Sequence, residues 1–227
     1  VGDHALHARL TCGDAGEGQL DFGADGDAGV DRNATSADGC VVACFGSVLC
    51  AEGELFFNVA SDDYLTDDAL EKVASWVATL PDDGSFCGVV GNLGTAPGQT
   101  PNTPIDGPWR DGNLLERYAD YTDHPIDGER APVFFTEIQK RYKYPEFEGE
   151  KFVTPAVTWN RMAHDGYKVR VFDDIIWIYE YQPDGLTANV GRNFIKNPQG
   201  AGLWQREKAE FIGDPLLKKM KMWYTFY

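Results

Sequence analysis

The most informative pattern of apolar and polar positions runs from Gly53 to Leu70, GELFFNVASDDYLTDDAL. Leu55 to Val59 is an apolar run long enough for one buried strand, and it leads into two adjacent carboxylates, Asp62 and Asp63. A helix signal follows at once. Thr66 suits an N-cap, Asp67 and Asp68 suit the positive end of a helix dipole, and Leu70, Val73, Ala74 and Val77 recur at helical spacing. Downstream, Asp82 to Ser85 predicts a turn, 86–90 a short strand, and Gly88, Gly91 and Gly94 a glycine-spaced loop after it. Residues 94–112 predict a long irregular loop, 114–118 a short helix, and 133–135 a buried strand with Thr136 capping the next turn. Thr154-Pro155 starts a helix that ends by Gly166. Two strands are expected over 169–172 and 175–181, then a helix broken at Asn197-Pro198 and a final helix over about 201–212. The alternation predicts an α/β fold in which 54–59, 86–90, 133–135 and 175–181 share a single mixed sheet flanked by helices.

Carboxylates at the carboxyl end of a buried strand lie where open α/β sheets bind ligands. Paired hard oxygens there can hold a divalent cation against a diphosphate. The alternative for Asp62 and Asp63 is structural, since Asp also makes turns and caps helices.

The segment GELFFNVASDDYL resembles the part of the family 2 glycosyltransferases (GT-A fold) that ends in their D-x-D metal motif. Residues 133–163, VFFTEIQKRYKYPEFEGEKFVTPAVTWNRMA, resemble the acceptor-side half of bacterial members, where an acidic element precedes a helix. YEYQPDGLTAN (179–189) and KNPQGAGLW (196–204) resemble the tail of a polysaccharide-building subgroup. The four motifs occur in the family's order across roughly 51–212. The resemblance implies a GT-A-like (Rossmann-like) sheet and a nucleotide-sugar donor. It further implies an inverting, metal-dependent transfer to a glycan or lipid-linked acceptor hydroxyl, in bacterial-style surface polysaccharide assembly. By the same resemblance, Asp62 is the first metal ligand and Asp63 the second, for Mn2+ or Mg2+. Ser61, Asp63, Arg161 and Trp109 contact substrate, and Glu150, with Glu148 second, is the general base. A solvated acidic loop is the alternative for both glutamates, a helix-surface salt bridge for Arg161, and surface decoration for Trp109.

Two departures bear on this. The first aspartate of D-x-D falls on Ala60, and nothing in residues 1–50 resembles the strands that open the family. Those fifty residues hold nine Gly, eight Ala and four of five Cys but no Lys, Tyr or Trp, whereas 51–227 hold all six Trp and all ten Tyr. So abrupt a shift predicts that 1–50 is an aberrant or disordered leader, best read as an out-of-frame translation of nucleotide-binding strands that are missing or degraded. Both departures predict weak nucleotide binding and little or no transfer by this chain. A non-catalytic remnant that binds a glycan or protein partner is the rival reading, and a nucleotidyltransferase-like enzyme a weaker one.

Composition narrows the classes. A net charge of −16 argues against nucleic-acid binding. No apolar run spans a bilayer and the first residues lack a signal-peptide pattern, which predicts a cytoplasmic protein. Residues 213–227 form a basic, aromatic tail with Lys218, Lys219, Lys221, Trp223 and Tyr224, suited to peripheral membrane contact. The five Cys match no zinc spacing, and no Ser-His-Asp or Cys-His set is visible.

Overall fold

The computed structural model describes residues 48–49, 51–60, 63–118, 121–123, 125–180, 189–215 and 219. Ser61, Asp62, most of the 1–50 leader, the 181–188 part of the third motif and most of the C-terminal tail lie outside the described residues. The strands are β1 (Leu55–Phe57), β2 (Tyr64–Leu65), β3 (Phe86–Gly94), β4 (Arg110–Gly112), β5 (Arg130–Phe135) and β6 (Lys168–Ile178). They form one mixed sheet in the order β1-β5-β3-β6-β2, with β4 also pairing β6. The helices are α1 (Ala69–Val77), α2 (Thr136–Gln139), α3 (Ala156–His164), α4 (Val190–Lys196) and α5 (Pro198–Phe211), with a 3-10 turn at Leu114–Arg117. The expected mixed sheet flanked by helices is present, and all four expected strand regions contribute to it.

The core of the sheet is β3, buried at all nine positions and parallel to β6. On one face α1 lays Ala69, Val73 and Trp76 against Val89, Leu93, Val133, Phe172 and Ile176. Trp76 stacks on Phe172 with ring centres 4.4 Å apart. On the other face Cys87, Val90, Phe134, Val169 and Val171 pack with Met162 of α3 and Ile126. Burial pushes the Cys87 thiol up to about 12, so it stays protonated at neutral pH.

Several local readings are corrected. Gly88, Gly91 and Gly94 are not a loop but part of β3. A Cβ at Gly88 would lie 2.0 Å from the Val133 carbonyl oxygen, and one at Gly91 only 2.8 Å from Ile176 and 3.0 Å from Trp76. These glycines admit a neighbouring backbone and a tryptophan, a demand set by tertiary packing rather than by local turn chemistry. The two strands expected over 169–181 are one, β6, which runs through Asp173 and Asp174 with register irregularities opposite Asn92. The expected buried strand over 55–59 is a three-residue, half-buried edge strand. Thr66 does not cap α1 with its side chain; its hydroxyl donates to Asp68 Oδ1 at 2.8 Å. Thr136 is the first residue of α2 rather than its cap.

The glycine argument has a direct test. Gly88→Ala is expected to cost about 3 kcal/mol in urea unfolding because backbone must move. Gly191→Ala on α4, where nothing lies within 4 Å, is expected to be neutral or stabilising by up to about 1 kcal/mol.

Candidate active site

Strands β1 and β3 each run antiparallel to β5, and β3 runs parallel to β6, so β1, β3 and β6 share one direction. Their carboxyl ends, Phe57, Gly94 and Ile178, lie along one edge of the sheet. That edge is the usual ligand side of an α/β sheet. The connection from β1 to β2 brings Asp63 to this edge, because β2 pairs with the last residues of β6, Tyr64 with Ile178 and Leu65 with Trp177.

Asp63 is held tightly here. One carboxylate oxygen accepts the Trp177 indole N–H at 2.9 Å and the other accepts the Glu180 backbone N–H at 3.1 Å. Its own N–H donates to the Ala60 carbonyl at 3.1 Å. Trp177 in turn meets Phe57 edge-on at 5.8 Å. Asp63 therefore ties the end of the β1–β2 connection to the end of β6. Among the described residues no cluster of three or more His, Cys, Asp or Glu could hold a metal ion.

Glu150 sits at the start of α5. Its two oxygens accept the Gln199 N–H at 2.6 Å and the Gly200 N–H at 2.8 Å, a favourable position for a carboxylate at a helix N-terminus. The arrangement is reciprocal, since Asn197 Oδ1 accepts the N–H groups of Lys151 and Phe152 at 2.7 and 3.1 Å. Glu148, two residues earlier, is exposed. Arg161 of α3 is engaged bidentately by Glu207 of α5, at 2.9 and 2.6 Å. Glu150 and Arg161 thus belong to one unit, the α3–α5 pair, and Arg161 forms the salt bridge that was its alternative reading.

Trp109 is placed elsewhere. The Arg170 guanidinium lies 4.9 Å from its ring centre, and Arg170 is itself gripped by both oxygens of Asp111 at 2.6 and 2.7 Å. That hydrogen-bonded carboxylate holds the Arg170 pKa above its ordinary value. Arg170 lies near the start of β6, and seven residues of strand, about 23 Å, separate it from Trp177 beside Asp63. The structure does not bring Trp109 to the Asp63 edge.

One set of residues escaped the sequence reading. Arg130, buried at the start of β5, donates to Asn92 Oδ1 at 2.6 Å, to the Thr103 and Asp127 carbonyls at 3.1 Å each, and to Asp173 at 3.5 Å. Burial pulls its pKa below the ordinary value, against the opposing pull of Asp173. Asp173 also accepts the Ile105 N–H at 2.8 Å, and Asn92 donates to the Asp173 carbonyl at 2.8 Å. The network fastens the long 95–109 connection to β3 and β6. The only sequence signal for it is the pair Asp173-Asp174 interrupting an apolar strand.

No protein-family model matches the chain, and no curated protein matches it. Solved structures do. The structure of S. aureus TarS 1-349 in complex with UDP-GlcNAc is similar at 17% identity and a TM-score of 0.50, over 83% of this chain and 51% of that one. The structure of S. aureus TarS is similar at 17% identity and a TM-score of 0.43, over 78% of this chain and 31% of that one. The likeness is one of fold and rests on the first of these, of which the chain spans about half the length.

The clamp on β6 can be checked by stability. Asp63→Ala leaves the Trp177 indole and the Glu180 amide without their acceptor and is expected to cost about 1–2 kcal/mol in urea unfolding. Glu148→Gln is expected to change stability by less than about 0.5 kcal/mol.

Proposed function

We propose that the chain is a glycosyltransferase that moves a sugar from a nucleotide-sugar donor to a glycan or lipid-linked acceptor hydroxyl, with inversion. The observation that carries this reading is Asp63 at the shared carboxyl edge of β1, β3 and β6, pinned there to Trp177 and Glu180. The fold likeness to TarS, solved with UDP-GlcNAc, supports it and makes UDP-GlcNAc the first donor to test.

In this proposal the donor diphosphate lies against the 60–63 loop. Ser61 donates a hydrogen bond to it, and Asp63 holds the loop in place. Asp62 would hold a divalent cation, Mn2+ or Mg2+, whose chemistry there would be to neutralise the charge of the departing diphosphate. The acceptor oxygen attacks the anomeric carbon as the bond from that carbon to the diphosphate oxygen breaks, and the acceptor proton passes to a carboxylate. We assign that role to Glu150. Two amide hydrogens fix its orientation, and each oxygen keeps a second lone pair for the proton. Turnover is slow, because Ala60 supplies no carboxylate.

A second reading, a glycan-binding domain without transfer, is favoured by one specific observation: both oxygens of Asp63, like both of Glu150, accept N–H groups within the protein, so each carboxylate has only its remaining lone pairs to offer a substrate. Activity separates the two. Radiolabelled UDP-GlcNAc with a panel of oligosaccharide acceptors is expected to give slow product formation with Mn2+ present. Glu150→Gln is expected to lower it about 100-fold, and Glu148→Gln no more than about threefold. Thermal melting of both variants checks that α5 remains docked. No product with any acceptor favours the glycan-binding domain, and equal loss in both variants removes Glu150 as the base.

A further inference from the structure

The geometry points to a binding site for an acidic carbohydrate, one bearing carboxylate or phosphate groups, between the 3-10 turn, α3 and α5. It rests on no residue of the 60–63 loop, and it deepens the proposed function by naming an acceptor class.

Two cations here lack an acidic partner among the described residues. The Arg117 guanidinium lies 5.2 Å from the Trp159 ring centre and 5.6 Å from that of Tyr118. Lys208 Nζ lies 4.4 Å from the Tyr118 ring centre and 5.8 Å from that of Trp204. The carboxylates adjacent to them in sequence are engaged elsewhere. Glu116 accepts from Arg110 at 2.6 Å and from the Asn113 N–H at 3.1 Å. Glu207 is gripped by Arg161. Two like charges are thus held against one tyrosine ring with cation–π contacts as their compensation. In a chain of net charge −16, this is a local exception to the acidic surface.

The aromatic setting is that of a sugar site. Trp204 donates its indole N–H to the Tyr118 hydroxyl at 3.2 Å, which leaves that hydroxyl's own proton available to a ligand. Trp204 also stacks on Phe194 at 5.3 Å. Trp159, Tyr118 and Trp204 are all half-buried, so ring faces or edges meet solvent beside the two cations. A cavity of about 40 Å³ opens next to Arg117 and Trp159, lined by Val90, Leu114, Ile126 and Val171 among others. The sugar lies against these rings at the cavity mouth, its acidic group paired with Arg117 and Lys208. Arg accepts carboxylate and phosphate alike in bidentate fashion.

Tryptophan fluorescence and calorimetric titrations of the full chain, without donor, test this. The probes are trigalacturonate, glucose 6-phosphate, inorganic phosphate and the neutral sugar maltotriose. Saturable binding of trigalacturonate or glucose 6-phosphate, at least about tenfold tighter than maltotriose, is expected; which of the two binds identifies carboxylate or phosphate as the group read. Arg117→Gln and Lys208→Gln are each expected to weaken that binding about tenfold (about 1.4 kcal/mol), with unchanged melting temperature and unchanged maltotriose response. Equal binding of acidic and neutral sugars, no saturable binding of either acid, or variants that bind as the parent does would each overturn the assignment. Inorganic phosphate binding as tightly as glucose 6-phosphate, with no response to trigalacturonate, would overturn the carbohydrate part. Because no donor is present, loss of glycosyl transfer in the preceding test does not produce any of these results.

Discussion

The parallel pairing of β3 with β6 is the constraint on which the rest of the structure depends. It places Gly94 beside Ile178, so that both strands end at one edge, and it brings Ile176 closer to β3 than a Cβ at Gly91 allows, while β5 on the other side crowds Gly88 in the same way. Once that approach is made, Trp76 can lie flat on Phe172 and α1 closes one face. Helix α3 closes the other through Met162. At the edge where the strands end, Asp63 fastens the start of β2 to the last residues of β6 and to Glu180.

Polar groups inside the sheet are tolerated because they answer one another. Asp173 interrupts β6 where an apolar residue would be the simpler choice, yet its carbonyl and carboxylate accept from Asn92, Ile105 and Arg130. A buried guanidinium without such acceptors would be strongly destabilising. With them, Arg130 anchors the connection between β3 and β4. The same logic at the α5 N-terminus makes Glu150 and Asn197 reciprocal caps, joining the segment before α3 to the helix that follows the sheet.

Much of this was legible where the determinant is local. The amphipathic spacing of Val73, Ala74 and Val77 marks α1, the Asp82–Ser85 turn occurs where its residues require it, and the mixed sheet follows from its strands. What could not be read depends on partners far along the chain. Gly88 and Gly91 resemble loop glycines until Val133 and Trp76 are known to need the space. Residues 168–178 look like two strands until Asn92 satisfies the break between them. Asp63 reads as a strand-end acid with a free carboxylate, and its true partner, Trp177, lies 114 positions later. Glu150 was singled out by resemblance alone, and its hydrogen bonds to Gln199 and Gly200 had no local signal. The carboxyl-edge position of Asp63 was visible early; its engagement by Trp177 and Glu180 was not.

The central claim is that the 60–63 loop receives a nucleotide diphosphate through Asp62. Calorimetric titration of the chain with UDP, with and without Mn2+, tests it most directly, alongside Asp62→Asn and Glu148→Gln. The account predicts weak, saturable binding, with a Kd above about 100 µM, that requires Mn2+, is lost in Asp62→Asn and is retained in Glu148→Gln. Binding that is indifferent to both Mn2+ and the Asp62 substitution, or no binding under any condition, would contradict it.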